Sequence, residues 1–137
     1  MTQISHIDHI AIVVKSINEV RHFYEQALGL KISHIEEIPK RGIKTAFITI
    51  GKTKLELIEP LGEHSEVNSF LQKKGPGIHH IAFNASNIHE LSANLQEHQV
   101  NLTYEEPQNG AHGSRVNFIH PKSAFGVLFE LVEDFDD

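Results

Sequence analysis

Ile7-Asp8-His9-Ile10-Ala11-Ile12 and Ile78-His79-His80-Ile81-Ala82-Phe83 are two strand-like runs that carry a histidine at the same internal position. Each is followed by a helix pattern and then by a strand with one acidic residue in an apolar setting. These are Glu56 in Leu55-Glu56-Leu57 and Glu130 in Phe129-Glu130-Leu131. A chain that repeats an early histidine and a late glutamate offers four metal-ligand candidates related by pseudo-symmetry.

The repeat extends outward from these runs. Ser16 with Glu19 reads as a capping box, and Ile17, Val20, Tyr24 and Ala27 follow at helical spacing until Gly29 ends the helix. Asn87 with Glu90 repeats that signal ahead of Ile88, Leu91 and Leu95. Ile43 to Ile50 and Leu55 to Ile58 read as strands joined by a turn at Gly51-Lys52-Thr53. Ser114 to His120 and Val127 to Leu131 hold the corresponding places in the second half, around a turn at Pro121-Lys122-Ser123. Each half is then strand, helix, strand, strand, strand. Between them, Ser65 to Lys74 predicts a short linker helix with Val67, Phe70 and Leu71 buried, ended by Gly75-Pro76-Gly77.

Alternation along a strand sets which way the candidates point. Ile10, Ile12 and Val14 share a helix-packing face, and His9 shares the other with Ile7, Ala11 and Val13. His80 shares a face with Ala82. In the last strand Val127, Phe129 and Leu131 form the apolar face, so Glu130 points away from it, and Leu55 and Leu57 leave Glu56 pointing away likewise. A half-buried carboxylate is unfavourable unless paired, and a divalent cation satisfies it. Asp8, His79 and Glu59 fall on opposite faces or near turns, as supporting or solvated groups.

Composition excludes other classes. With 137 residues and 39% hydrophobic content the chain suits one compact domain, 1–137. A net charge of −6 and the lack of a basic cluster argue against a nucleic-acid partner. No apolar run is long enough to span a bilayer, so the expectation is a soluble cytoplasmic protein without a membrane partner. There is no cysteine, which leaves only nitrogen and oxygen ligands for a metal.

The paired modules resemble the vicinal oxygen chelate superfamily, and more narrowly the methylmalonyl-CoA epimerase family, across nearly the whole chain. The stretches that carry this are Ile7 to Ala11, Lys54 to Leu61, Gly77 to Ala82, Glu106-Pro107, Gly110 to Gly113, and His120 to Ser123 leading to Gly126 to Leu131. The resemblance implies an α+β fold: two βαβββ modules, about 5–61 and 77–134, forming a curved, barrel-like mixed sheet around a metal cleft, with a linker helix at about 64–75. It implies metal ligands at His9, Glu56, His80 and Glu130, with cobalt, manganese, nickel or zinc suited to the mixed set.

The activity implied is interconversion of (R)- and (S)-methylmalonyl-CoA in propionyl-CoA metabolism, through abstraction of the α-proton to an enolate. Glu130 is the matching position for a base that is also a ligand. The partner implied is an acyl-CoA thioester, and the assembly a homodimer. Lys122, Arg115, Ser114 and His112 are candidates for contacting the substrate. The chain departs from the family at Thr45, where some epimerases carry a glutamate that serves as second base; Glu36, Glu37, His112 or a water are alternatives there. A glyoxalase I-type lactoylglutathione lyase shares the same ligand set, and a resistance-type binding protein shares the fold without a metal. An extradiol dioxygenase would use only one carboxylate, which the presence of both Glu56 and Glu130 disfavours.

Overall fold

The computed structural model describes residues 3–110 and 113–134. The first half of the chain gives β1 (Ile4–Val13), α1 (Ile17–Arg21), β2 (Ile32–Ile38), β3 (Ile43–Ile50) and β4 (Thr53–Pro60). A linker helix α2 (Asn68–Lys74) follows. The second half gives β5 (Gly77–Ala85), α3 (Ile88–Glu97), β6 (Gln108–Asn109), β7 (Arg115–Ile119) and β8 (Phe129–Glu133). The chain thus has the α+β class and the twice-repeated element order expected from its sequence. The strands lie side by side in the order β2-β3-β4-β1 in the first half and β5-β8-β7-β6 in the second, with β2 and β6 as edge strands. No helix among the described residues is long and apolar enough to cross a membrane.

The chain divides into two compact units: His9–His79, and the residues up to Asp8 together with those from His80 onward. In the His9–His79 unit, β1 and β4 pair in parallel and β4, β3 and β2 pair antiparallel. Val14, Ile17, Ile32, Ala46, Ile48 and Leu57 form the core on one face, with Val20 and Tyr24 packed against it. Burial raises the Tyr24 phenol above its ordinary pKa and keeps it neutral. On the other face Ala11, Val13, Ile43, Ile58 and Val67 gather with Phe70 and Leu71 of α2. The linker helix thus covers one end of the face that carries His9 and Glu56. Gly42 turns the chain between β2 and β3 with φ +66°, and a Cβ there would stand 2.9 Å from the Ser65 backbone.

Two details differ from the sequence pattern. Ser16 Oγ accepts the Glu19 N–H, so α1 starts as expected, but residues His22–Ala27 form a π-helical turn in which Leu28 N–H donates to Phe23 O. The wider turn slips the helical phase, so Ala27 is exposed and Leu30 packs on the core instead. Val127 lies before β8 and is exposed, whereas Phe129 and Leu131 pack with Ile88 and Leu91 of α3 as the alternation requires.

In the other unit β5 pairs with β8 in parallel, and β8, β7 and β6 pair antiparallel. Asn87 Oδ1 accepts the Glu90 N–H and starts α3. Asn117 is fully buried; its amide accepts from Tyr104 N–H and donates to Tyr104 O, which fixes that loop beside β7.

Candidate metal centre

The same local construction occurs in each unit. In the first, Ala11 of β1 lies beside Glu56 of β4, and Phe47 of β3 lies on the other flank of Glu56. Partners across a ladder point to the same side, so His9, two residues before Ala11, shares the Glu56 face. In the second, Ala82 of β5 lies beside Glu130 of β8, Phe118 of β7 flanks Glu130, and His80 stands two residues before Ala82. Alanine next to each glutamate keeps space open above the sheet, and phenylalanine walls the other side.

His9 Nε2 is 3.5 Å from Glu56 Oε1, with side chains 12% and 15% exposed. His80 Nε2 is 3.0 Å from Glu130 Oε1, with side chains 8% and 12% exposed. The Phe118 ring meets His80 edge-on at 6.1 Å. Two donors that share one cation at bond lengths of about 2.1 Å stand roughly 3.0 to 3.4 Å apart. Both imidazole–carboxylate pairs have that spacing within a few tenths of an ångström. In each pair, nearly buried nitrogen and oxygen donors fit a divalent first-row cation.

Each glutamate-bearing strand then ties down a helix. Glu59, three residues beyond Glu56, accepts the Ile17 N–H through Oε1 at 2.7 Å, and Glu133, three beyond Glu130, accepts the Ile88 N–H at 2.6 Å. Glu59 is therefore a helix cap. Asp8 is buried and accepts from Asn84 Nδ2, and His79 packs edge-on against Phe70 at 5.1 Å.

The remaining sequence candidates are spread out. Lys122 is exposed on a 3₁₀ turn, Pro121–Ala124, that His120 caps by accepting the Lys122 N–H at Nδ1. Arg115 Nη2 donates to Pro107 O, and Ser114 is buried with its carbonyl accepting the Gly110 N–H. His112 lies outside the described residues. Thr45 is 1% exposed. The flanking Phe47 and Phe118 were missed in the sequence, although a two-residue turn after Ile50 would have placed Phe47 opposite Glu56 by counting.

Residues 8–118 match the Glyoxalase/Bleomycin resistance protein/Dioxygenase superfamily. The protein YqjC of Bacillus subtilis (strain 168) is 44% identical over 131 residues, 96% of this chain and 94% of that protein. The mitochondrial methylmalonyl-CoA epimerase of Homo sapiens is 39% identical over 126 residues, 91% of this chain and 72% of that one. A solved structure of a variant Streptomyces coelicolor methylmalonyl-CoA epimerase in complex with 2-nitronate-propionyl-CoA superposes with a TM-score of 0.86. It is 35% identical, covering 97% of this chain and 99% of that one.

Proposed function

Since this chain belongs to the Glyoxalase/Bleomycin resistance protein/Dioxygenase superfamily, we propose that it interconverts the (R) and (S) forms of methylmalonyl-CoA. The observation that carries this is the twice-built pair, His9 with Glu56 and His80 with Glu130, each beside an alanine, in a chain alike over nearly its full length to epimerases of that substrate. His9, Glu56, His80 and Glu130 would hold one divalent cation, drawn from cobalt, manganese, nickel or zinc. When bound, that cation supplies Lewis-acid polarisation of the substrate carbonyl, worth several kcal/mol in the transition state.

The chain's own groups do the rest. Glu130 carboxylate takes the α-proton, and the electron pair left on carbon spreads into the thioester carbonyl as an enolate; a positioned base contributes roughly 10²- to 10⁴-fold. Ala11 and Ala82, both fully buried, leave room beside the two glutamates. The Phe47 and Phe118 rings exclude water from their flanks, which strengthens the electrostatics of the proton transfer. Lys122 is the residue proposed to meet a substrate phosphate or carboxylate, with Ser114, Arg115 and His112 as further contacts.

The chain is read as one domain of two modules acting in the cytoplasm as a homodimer. Exposed Phe23 and Leu28 support association, and light scattering on the eluting protein checks it.

The test is an incubation of the metal-loaded protein with one epimer of methylmalonyl-CoA in deuterated water. Deuterium at the α-carbon together with inversion is expected. A hemithioacetal of glutathione run in parallel should be left unchanged; conversion of that compound with no effect on the thioester would assign the site to a lyase instead.

A further inference from the structure

Inversion at carbon requires a proton removed on one face and one delivered on the other, and Glu130 accounts for a single group. Resting on the epimerase reading, the geometry points to Glu36 as the second acid–base group, brought onto the ligand-bearing face by a bulge in β2.

The register of β2 against β3 shows how. Ser33 pairs with Phe47, and Ile38 pairs with Ile43, but between Ser33 and Glu36 the ladder shifts by one residue. His34 stands there with φ 49°, in the left-handed region that a histidine seldom occupies. Two residues, His34 and Ile35, thereby fill the space opposite Ala46, and Glu36 becomes the partner of Thr45. A regular ladder running on from Ser33 would place Ile35 opposite Thr45 and turn Glu36 to the far side. Bulges re-aim side chains in this way, often beside active sites.

Thr45 pairs in turn with Ile58 of β4, two residues along from Glu56. Glu36, Thr45 and Glu56 therefore share one face, the face of His9. Strand spacings of about 4.8 Å and rises of about 3.3 Å per residue put the Glu36 and Glu56 Cα atoms on the order of 12 Å apart. Two glutamate side chains reaching toward each other from there leave space for a group of malonyl size. Threonine at 45 is not a base at neutral pH, and Glu36 is the carboxylate that stands beside it in the ladder.

The duplication supplies an independent sign. Gln108 of β6 pairs with Val116 of β7, which pairs with Val132 of β8, two residues along from Glu130. Gln108 thus holds the position that Glu36 holds in the other unit. The ligand pairs and the helix-capping glutamates are repeated in both units; at this position a carboxylate stands in one and a neutral amide in the other. A carbon whose two faces must be handled by different groups needs such an asymmetry.

In the reaction, the α-carbon–hydrogen bond breaks as Glu130 takes the proton, and the pair enters the thioester carbonyl. The Glu36 carboxyl O–H then gives its proton to the same carbon from the other face, and exchange with water resets both groups.

The test is Glu36→Gln in the full, metal-loaded chain, supplied separately with each epimer in deuterated water. One epimer should still exchange its α-proton with retention at close to the wild-type rate, inversion should fall on the order of 10²-fold or more, and the other epimer should be inert. Metal content should equal that of wild type, and Glu36→Asp should recover part of the inversion. Glu37→Gln, on the opposite face beside Lys44, should invert normally. Wild-type inversion by Glu36→Gln would overturn the assignment while leaving the epimerase reading intact, and so would loss of its metal. A wild-type protein inert toward both epimers would remove that reading itself.

Discussion

At the scale of single residues, the candidate centre rests on imidazole and carboxylate groups that occupy equivalent places in two ladders. His9 and His80 side chains are 12% and 8% exposed, so removing either ring leaves a carboxylate in a poorly solvated place. His9→Ala and His80→Ala should each lower bound metal severalfold or more after dialysis against a low-metal buffer, measured by elemental analysis of the folded protein. Stoichiometric metal in both variants would dismiss the ligand assignment. Glu130→Gln keeps an oxygen donor but loses the base. Solvent deuterium should then fail to enter the α-carbon of the epimer whose proton Glu130 takes, by roughly 10²-fold or more in rate, with the circular dichroism spectrum unchanged. Retained exchange would move the base elsewhere.

At the scale of elements, the two glutamate-bearing strands end by capping the helices that open each repeat. The bonds from Ile17 and Ile88 N–H to Glu59 and Glu133 are short, 2.7 and 2.6 Å, and a carboxylate at a helix N-terminus gains from the exposed N–H groups and the dipole. Glu59→Ala and Glu133→Ala should each cost about 1 to 2 kcal/mol in urea unfolding, with the Gln variants losing less because an acceptor remains. Equal losses for Ala and Gln would show that the charge, not the acceptor, carries the effect. Neither cap was legible in the sequence, because each lies more than forty residues from the helix it serves. The Ser16 and Asn87 caps were legible because their partners lie three residues on. The facing of His9, Glu56, His80 and Glu130 was also legible, since alternation has a period of two and each strand carries a clear apolar side. The bulge at His34 was not, because one extra residue reverses the phase of everything after it and leaves no compositional mark. The π-helical turn at His22–Ala27 escaped for the same reason in a helix: it changes the period without changing the kind of residue.

At the scale of the molecule, the acidic balance of the chain, −6, sharpens the meaning of cation binding. Any divalent ion gathers weakly around such a surface, but only an ion that accepts imidazole nitrogen gains from His9 and His80. A ligand that binds the folded state alone stabilises it by about 2.7 kcal/mol when present at 100 times its dissociation constant. For a chain of this length that corresponds to a rise in Tm of roughly 5 to 15 °C. Cobalt or zinc added to chelator-stripped protein should therefore raise Tm by several degrees. Magnesium, which prefers oxygen and holds its water, should raise it far less. His9→Ala should cancel most of the cobalt shift. Glu36→Gln should keep it, because Glu36 is assigned to proton transfer and not to the cation. Equal shifts for magnesium and cobalt, undiminished in His9→Ala, would mean that the ions act on surface charge and that the imidazole–carboxylate pairs hold no metal.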